Sequence, residues 1–276
     1  MNKFIKIKIA NKVVLSNDLP LSVIAGPCVI ENRKETLDLA KKLKEICFKG
    51  KINFVFKASY DKANRSSINS YRGPGLEKGL DILAEVKEKL NVPVLTDVHC
   101  ACDVEKVAKI VDIIQIPAFL CRQTDLVVAC AKTKIPVNVK KGQFMAPEDI
   151  SQVINKIKGF NDKISLTERG ASFGYRNLVV DYRSVEIMKR FGYPVIFDAT
   201  HSVQRPGGLG TSSGGERQYV LPLAKAASAI GVAALFVEVH KNPDKALSDG
   251  ANSIDLKMFK TMLNQTIKID KLVKGF

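Results

Sequence analysis

The sequence predicts an α/β fold, a closed (β/α)8 TIM barrel with a short N-terminal β-hairpin. Three observations point to it. Short apolar runs, rich in β-branched and aromatic residues, alternate with segments of helical periodicity in about eight units at roughly thirty-residue spacing. Those runs are apolar throughout, which implies strands buried on both faces and therefore a parallel sheet. The length, 276 residues with 46% hydrophobic content, suits one large barrel. Residues 1–276 read as a single domain, without a linker, low-complexity segment or internal repeat.

Residues 3–9 set lysine against phenylalanine and isoleucine, Asn11 and Lys12 interrupt them, and residues 13–15 resume the pattern. Residues 1–15 therefore read as the hairpin. The first strand, 21–25, leads to a helix over 31–48. The second, 52–58, leads through a polar loop to a helix over 76–90. Strands at 93–98, 113–118 and 136–140 precede helices at 103–109, 123–131 and 147–157. The strand at 164–168 reaches its helix, 184–191, after a longer loop. The strand at 194–199 reaches its helix, 217–230, after a glycine-rich loop, and the strand at 233–239 leads to a last helix over 254–273. The glycine-rich residues 207–215 lack the lysine and hydroxyl of a phosphate-cradling P-loop and the spacing of a dinucleotide fingerprint. A mobile lid is the expectation there.

The net charge of +15 raises the question of nucleic acid. Lysine outnumbers arginine 33 to 10 and is scattered over helix surfaces instead of forming one block, which favours anionic small molecules. No apolar run is long enough to cross a bilayer, and the N-terminus lacks the pattern of a signal peptide. The six cysteines, at 28, 47, 100, 102, 121 and 130, do not form a disulfide framework, so a cytoplasmic location is expected.

In such a barrel the site lies at the C-terminal ends of the strands. Those ends supply Cys28; Lys57, then Lys62, Asn64, Arg65 and Ser66; Asp97 and His99; Gln115 and Phe119; Lys140; Glu168 and Arg169; Asp198 and His201; Glu238, with Asp249 beyond. Two subsets stand out. Lys57, Lys62, Arg65, Lys140 and Arg169 would converge over the barrel mouth, with a repulsion that bound polyanions would relieve, which suggests two phosphorylated or carboxylated ligands. Cys28, His201, Glu238 and Asp249 offer a thiolate, an imidazole and two carboxylates, donors suited to iron, zinc or manganese. A cluster at His99, Cys100 and Cys102 is a rival metal site, although burial at a helix start is the ordinary fate of such cysteines.

The segments IAGPCVIE, FKASYDKANRSS, SYRGPG, QIPAFLCRQTDL, NVKKGQF, ERGASFGY, FDATHSVQ and SGGERQ resemble the 3-deoxy-D-manno-octulosonate-8-phosphate synthases, from about residue 21 to the closing DKLVKGF. KANRSS is the most specific of them. The related 3-deoxy-D-arabino-heptulosonate-7-phosphate synthases, which use erythrose 4-phosphate, share the AGPC-type start but typically carry a KPR-type phosphate loop, and they are the alternative.

The resemblance implies condensation of phosphoenolpyruvate with arabinose 5-phosphate, with release of phosphate, in lipopolysaccharide (Kdo) biosynthesis. It implies Lys57, Lys62, Lys140 and Arg169 as phosphoenolpyruvate ligands, and Arg65 and Ser66 as the grip on the sugar phosphate, with Asn64 near its hydroxyls. Asp97, Gln115 and Phe119 complete the implied substrate site, and Lys62, Asn64, His201 and Asp249 are the implied catalytic residues. The family divides into metal-dependent enzymes and metal-independent ones with asparagine in place of Cys28. Cysteine here, with His201, Glu238 and Asp249, implies the metal-dependent class. A homotetramer is implied as well.

Overall fold

The computed structural model describes residues 4–10, 13–174, 177–206 and 214–276. Two short strands, β1 (Ile7–Lys8) and β2 (Val14–Leu15), pair antiparallel as the expected hairpin. Then come β3 (Ser22–Gly26), α1 (Arg33–Lys49), β4 (Phe54–Lys57), α2 (Leu76–Leu90), β5 (Val94–Asp97), α3 (Val104–Ala108), β6 (Ile113–Ile116) and α4 (Thr124–Lys132). The chain continues with β7 (Val137–Lys140), α5 (Ile150–Lys158), β8 (Ile164–Glu168) and a small antiparallel pair, β9 (Ala171–Ser172) with β10 (Leu178–Val179). It goes on through α6 (Arg183–Lys189), β11 (Val195–Asp198), and a second such pair, β12 (Gln204–Arg205) with β13 (Gly214–Gly215). It ends with α7 (Val220–Ala229), β14 (Ala234–Glu238) and α8 (Leu256–Lys274). Eight strands close a parallel barrel in the order β11-β14-β3-β4-β5-β6-β7-β8. Among the described residues, no helix is long and apolar enough to cross a membrane.

The local chemistry accounts for these elements. In α5, Ile150, Val153, Ile154 and Ile157 repeat at the spacing that puts them on one buried face. Asn32 caps α1: its side chain accepts from the Glu35 amide, and its own amide group donates to the Glu35 carboxylate. Helix starts at 147 and 217 are predicted three residues early, and the start at 103 by one. Turns of 3-10 helix at Ala101–Asp103, Pro147–Asp149 and Arg217–Tyr219 lead into α3, α5 and α7. Such a turn has the same sequence preferences as a first α-helical turn, so pattern alone does not separate them. The expected lid lies mostly outside the described residues, which omit 207–213, while Gly214 and Gly215 form β13.

The hairpin decides which end of the barrel carries chemistry. Val13 and Leu15 pack with Ile24, Val55, Leu95, Ile113, Ile196, Ala234 and Phe236, one residue or more from most barrel strands. Burying a side chain of this size contributes about 1.5–3 kcal/mol. One end of the interior is thus an apolar plug, and polar groups gather at the other. There β3 ends on Gly26, β4 on Lys57, β5 on Asp97, β7 on Lys140, β8 on Glu168, β11 on Asp198 and β14 on Glu238. Gly26 is required by closure: a Cβ there would lie 1.8 Å from the Lys57 carbonyl oxygen.

Candidate active site

A cavity of about 350 Å³ opens at the C-terminal ends of the strands, walled by the loops that follow β4 to β8, β11 and β14. Three cations form its inner wall. Lys57, 1% exposed, donates from Nζ to Glu238 Oε1 at 2.8 Å and to the Cys28 carbonyl at 2.9 Å. Lys140, 4% exposed, pairs with Asp198 Oδ2 and sits 3.3 Å from the centre of the Phe236 ring. Burial pushes its pKa down to about 8, against the opposing pull of Asp198. Arg169, 5% exposed, donates from Nη2 to Gln204 Oε1 at 3.1 Å. Its other terminal nitrogen, Nη1, is buried without a partner among the described residues. A buried donor in that state costs on the order of 1–3 kcal/mol until an acceptor reaches it.

The expected charge repulsion is therefore already offset in the protein. Counting cations alone gave an excess. The fold sets Asp198 beneath Lys140 and Glu238 beside Lys57, and opposite charges at this range stabilise each other strongly away from water.

The second wall is the loop of residues 58–75. It folds back on itself: the Lys62 amide donates to the Arg72 carbonyl at 2.7 Å, and the Gly75 amide to the Tyr60 carbonyl at 3.2 Å. Gly73 has φ +123°, and a Cβ there would meet the Tyr60 carbonyl oxygen at 2.4 Å, so glycine is needed for the return. Lys62 faces the acids. Burial opposes its charge, but the carboxylates of Asp97, Glu238 and Asp249 outweigh that and raise its pKa, so it remains an ammonium. Arg65 donates from Nη1 to Ser248 Oγ at 2.7 Å and from Nη2 to the Leu247 carbonyl at 3.4 Å. Asn64 and Ser66 are exposed at the cavity edge.

Asp97 is buried. Burial would raise its pKa, but Lys62 and the hydrogen-bonded His99 hold it well below the usual carboxylate range. Its Oδ2 contacts His99 Nε2 at 3.1 Å, while Oδ1 and the Gln115 Oε1 are buried without partners among the described residues. Phe119 stands at the rim, 53% exposed.

Three of the four expected metal-ligating residues, Cys28, Glu238 and Asp249, meet beside this cavity, and His201 borders two of them. Ligand atoms of Cys28, Glu238 and Asp249 lie within 4.8 Å of one another. His201 Nε2 is 3.6 Å from both Glu238 Oε1 and Asp249 Oδ2. Donors bound tetrahedrally at about 2.1 Å stand about 3.4 Å apart, so the cluster has the right scale. Glu238 Oε2 is buried with no partner among the described residues. His201 Nδ1 contacts Asp198 Oδ2 at 2.7 Å, which turns Nε2 toward the acids in the manner of a carboxylate-backed metal histidine. Asp249 holds a left-handed backbone, φ +49°, which aspartate tolerates better than most residues. Burial and Glu238 raise the Cys28 pKa well above the ordinary thiol value, so it remains a thiol unless a cation displaces the proton. The donor set and the unsatisfied carboxylate oxygen fit a divalent ion of borderline softness.

The rival cluster does not form. Cys100 and Cys102 are exposed, contrary to the burial expected at a helix start, and are joined to each other; the other cysteines form no disulfide framework. Cys100 precedes a surface 3-10 turn, so neither side chain faces the core. His99 turns away to Asp97 and to the edge of the Tyr60 ring. The other four cysteines are free and buried.

Sequence reasoning missed two neutral residues that tie the clusters together. Ser248 Oγ accepts from Cys28 Sγ at 3.1 Å as well as from Arg65. Gln204 lies between Arg169 and Asp249. Gln204 closes the segment FDATHSVQ, the only signal that marked it. Nothing local marked Ser248. As a whole, the site offers two sets of cations for anionic groups and, beside them, a donor cluster suited to a divalent ion.

Residues 4–275 match the family described as DAHP synthetase I. The chain is 54% identical over 276 residues to a 2-dehydro-3-deoxyphosphooctonate aldolase of Fusobacterium nucleatum, covering 100% of this chain and 99% of that protein. It is 57% identical over 262 residues to the protein of that name from Citrifermentans bemidjiense, covering 95% and 96% of the two chains. With one from an Azoarcus species the identity is 57% over 261 residues, 94% of each chain.

Proposed function

This chain belongs to the DAHP synthetase I family, and we propose that it condenses phosphoenolpyruvate with D-arabinose 5-phosphate and water to give 3-deoxy-D-manno-octulosonate 8-phosphate and inorganic phosphate. The relatives' printed name describes an eight-carbon phosphorylated 3-deoxy acid. A three-carbon pyruvyl unit leaves five carbons for the other substrate, a pentose phosphate. Both substrates are then phosphorylated anions. The observation that carries the reading is the division of the cavity's cations into two sets, one on strand ends and one on the KANRSS loop.

Lys140 and Arg169 hold the phosphate and carboxylate of phosphoenolpyruvate, with Lys57 and Lys62 adding charge, and Asp97, Gln115 and Phe119 complete the walls. Arg65 and Ser66 take the phosphate of arabinose 5-phosphate, and Asn64 its hydroxyls. Held in this way, the enol-ether carbon of one substrate faces the aldehyde of the other, and the barrier falls through proximity. As that carbon attacks, the aldehyde oxygen gathers charge and the adjacent carbon becomes electron-poor; water adds to that carbon, one of its protons reaching the former aldehyde oxygen, and carbon–oxygen cleavage releases phosphate with the other. The charged hydrogen bonds of Lys140 and Arg169 strengthen as the departing phosphate gathers charge. Lys62, kept protonated, supplies a proton donor beside it.

Cys28, His201, Glu238 and Asp249 hold a divalent ion (iron, zinc or manganese), which when bound supplies Lewis acidity toward the sugar aldehyde. Asp198 keeps the His201 ring turned so that Nε2 points at Glu238 and Asp249. We place the enzyme in the cytoplasm, as a homotetramer. In support of the tetramer, Phe119, Phe144 and Phe173, 53%, 56% and 69% exposed, come from the loops after β6, β7 and β8, and an assembly would bury such large apolar side chains.

The test is phosphate release from phosphoenolpyruvate with each of two sugars. Arabinose 5-phosphate is expected to support turnover and erythrose 4-phosphate to support little. A preference for erythrose 4-phosphate overturns the reading.

A further inference from the structure

We infer that Gln204 is a positioning residue that couples the anion-binding Arg169 to the cation-binding Asp249, so that phosphoenolpyruvate and the divalent ion each tighten the binding of the other. The inference rests on the roles proposed above for those two residues. Gln204 touches both with its one amide group: Oε1 accepts from Arg169 Nη2 at 3.1 Å, and Nε2 donates to Asp249 Oδ1 at 3.1 Å. Guanidinium only donates and carboxylate only accepts, so the amide has one allowed orientation; turned over, it would meet donor with donor and acceptor with acceptor.

The contacts divide each partner in the same way. On Arg169, Nη2 is taken by Gln204 and Nη1 is buried without a partner among the described residues, in a side chain that lines the cavity. On Asp249, Oδ1 is taken by Gln204 and Oδ2 faces Cys28 Sγ at 3.5 Å and His201 Nε2 at 3.6 Å. One atom of each residue is fixed and the other is presented to its ligand. The backbone keeps the link short. Gln204 opposes Gly215 in the β12–β13 pair, and a Cβ on Gly215 would lie 2.7 Å from Asn252 Cβ, so this pair rests directly on the turn that follows Asp249. That turn is held by the Ser253 amide and hydroxyl, which donate to the Asp249 carbonyl at 3.0 and 2.9 Å.

The sign follows from ordering. A ligand that fixes Arg169 also fixes the amide and with it the carboxylate, so the second ligand meets a partner that has already lost its freedom. The two affinities must change by the same factor, because coupling is reciprocal.

The experiment measures Mn²⁺ affinity by chelator competition with and without saturating phosphoenolpyruvate, and phosphoenolpyruvate affinity by calorimetry with and without Mn²⁺. Wild-type protein, Gln204→Met and Gln204→Glu are compared. In wild type each ligand is expected to tighten the other about tenfold. Gln204→Met, which keeps the shape and loses both hydrogen bonds, is expected to bring that factor to about one and to weaken each ligand alone. Gln204→Glu keeps the acceptor for Arg169 and loses the donor to Asp249. It is expected to retain phosphoenolpyruvate affinity while losing the coupling, and it decides the matter if Gln204→Met folds poorly. Coupling that survives in both variants overturns the inference alone. A wild-type protein that binds neither ligand overturns the proposed site, and the coupling with it.

Discussion

Two sets of cations face one cavity, and they are built differently. Lys57, Lys140 and Arg169 stand at or one residue beyond strand ends, at most 5% exposed, and each lysine is paired with a buried carboxylate. Lys62, Asn64, Arg65 and Ser66 hang on a loop, and Arg65 is held by a serine hydroxyl and a backbone carbonyl of the 247–248 turn. Barrel closure fixes the first set, because moving Lys57 or Lys140 means moving β4 or β7. Contact with a neighbouring loop fixes the second. The strand-end set is thus preorganised for the substrate held deepest, and the loop set is the one a different sugar phosphate would reshape.

The proposed metal site of Cys28, Glu238 and Asp249 touches both sets, Lys57 through Glu238 and Arg65 through Ser248, so removing divalent ions tests the whole arrangement. Chelation is expected to cut phosphate release on the order of a thousandfold, the loss of about 4 kcal/mol of charge stabilisation, and a divalent ion to restore it. Full turnover in metal-free protein would remove Cys28 from the required ligands. Cys28→Asn is expected to keep some activity and to become insensitive to chelator.

Stability separates the two sets next. Lys57→Met takes from the buried Glu238 its hydrogen-bonded cation and leaves His201 Nε2 at 3.6 Å, which costs about 3 kcal/mol and lowers the melting temperature of a chain this size by about 10 °C. Thermal unfolding of this variant beside Arg65→Ala measures the contrast. Arg65 is partly exposed and bonded only to neutral groups, and its loss is expected to shift melting by about 1 °C or less. Equal shifts would show that the loop is as rigid as the strand ends.

The same contrast explains what the sequence made legible. All eight barrel strands were readable, because strands buried on both faces have no polar alternation to confuse with a surface helix. Every ionisable strand end was readable too, since the fold says which end carries chemistry. The pairing of Lys140 with Asp198 and of Lys57 with Glu238 was not, because these bonds join residues 58 and 181 apart that meet only after closure. Ser248 and Gln204 were hidden for a similar reason: neutral side chains carry no charge signal, and their value lies in what they connect. The burial expected of Cys100 and Cys102 failed because two cysteines beside a helix start have the same pattern whether the turn faces the core or the solvent.

Substrate discrimination is the third difference. Arg65→Ala is expected to raise the KM for arabinose 5-phosphate about ten- to a hundredfold, the loss of a charged hydrogen bond worth about 1.5–3 kcal/mol. The KM for phosphoenolpyruvate should stay within about twofold, because uniform binding of the other substrate is untouched. Initial rates with each substrate varied in turn give both values. A matching rise for phosphoenolpyruvate would mean that the two sets act as one.

The smallest expected effect is the most specific to the strand-end set. Burial brings Lys140 down to about 8 from the ordinary lysine value of 10.5, and Lys57 and Arg169 nearby add to the fall, while Asp198 resists it. Phosphoenolpyruvate prefers the protonated lysine, so its affinity is nearly full at pH 7, about half gone at pH 8 and declines further as the proton leaves above that. The ligand does not confuse the reading, because a phosphate with a second pKa near 6 is already doubly charged at pH 7. Calorimetric titration from pH 7 to pH 9 is expected to show a loss of up to about tenfold, the limit set by one proton over that range. Arabinose 5-phosphate, held by the loop set and not by Lys140, should show no such step. Lys140→Met is expected to bind phosphoenolpyruvate more weakly at every pH and to lack the step. A step that persists in Lys140→Met would assign the titration to another group and leave the strand-end lysine fully charged in the working range.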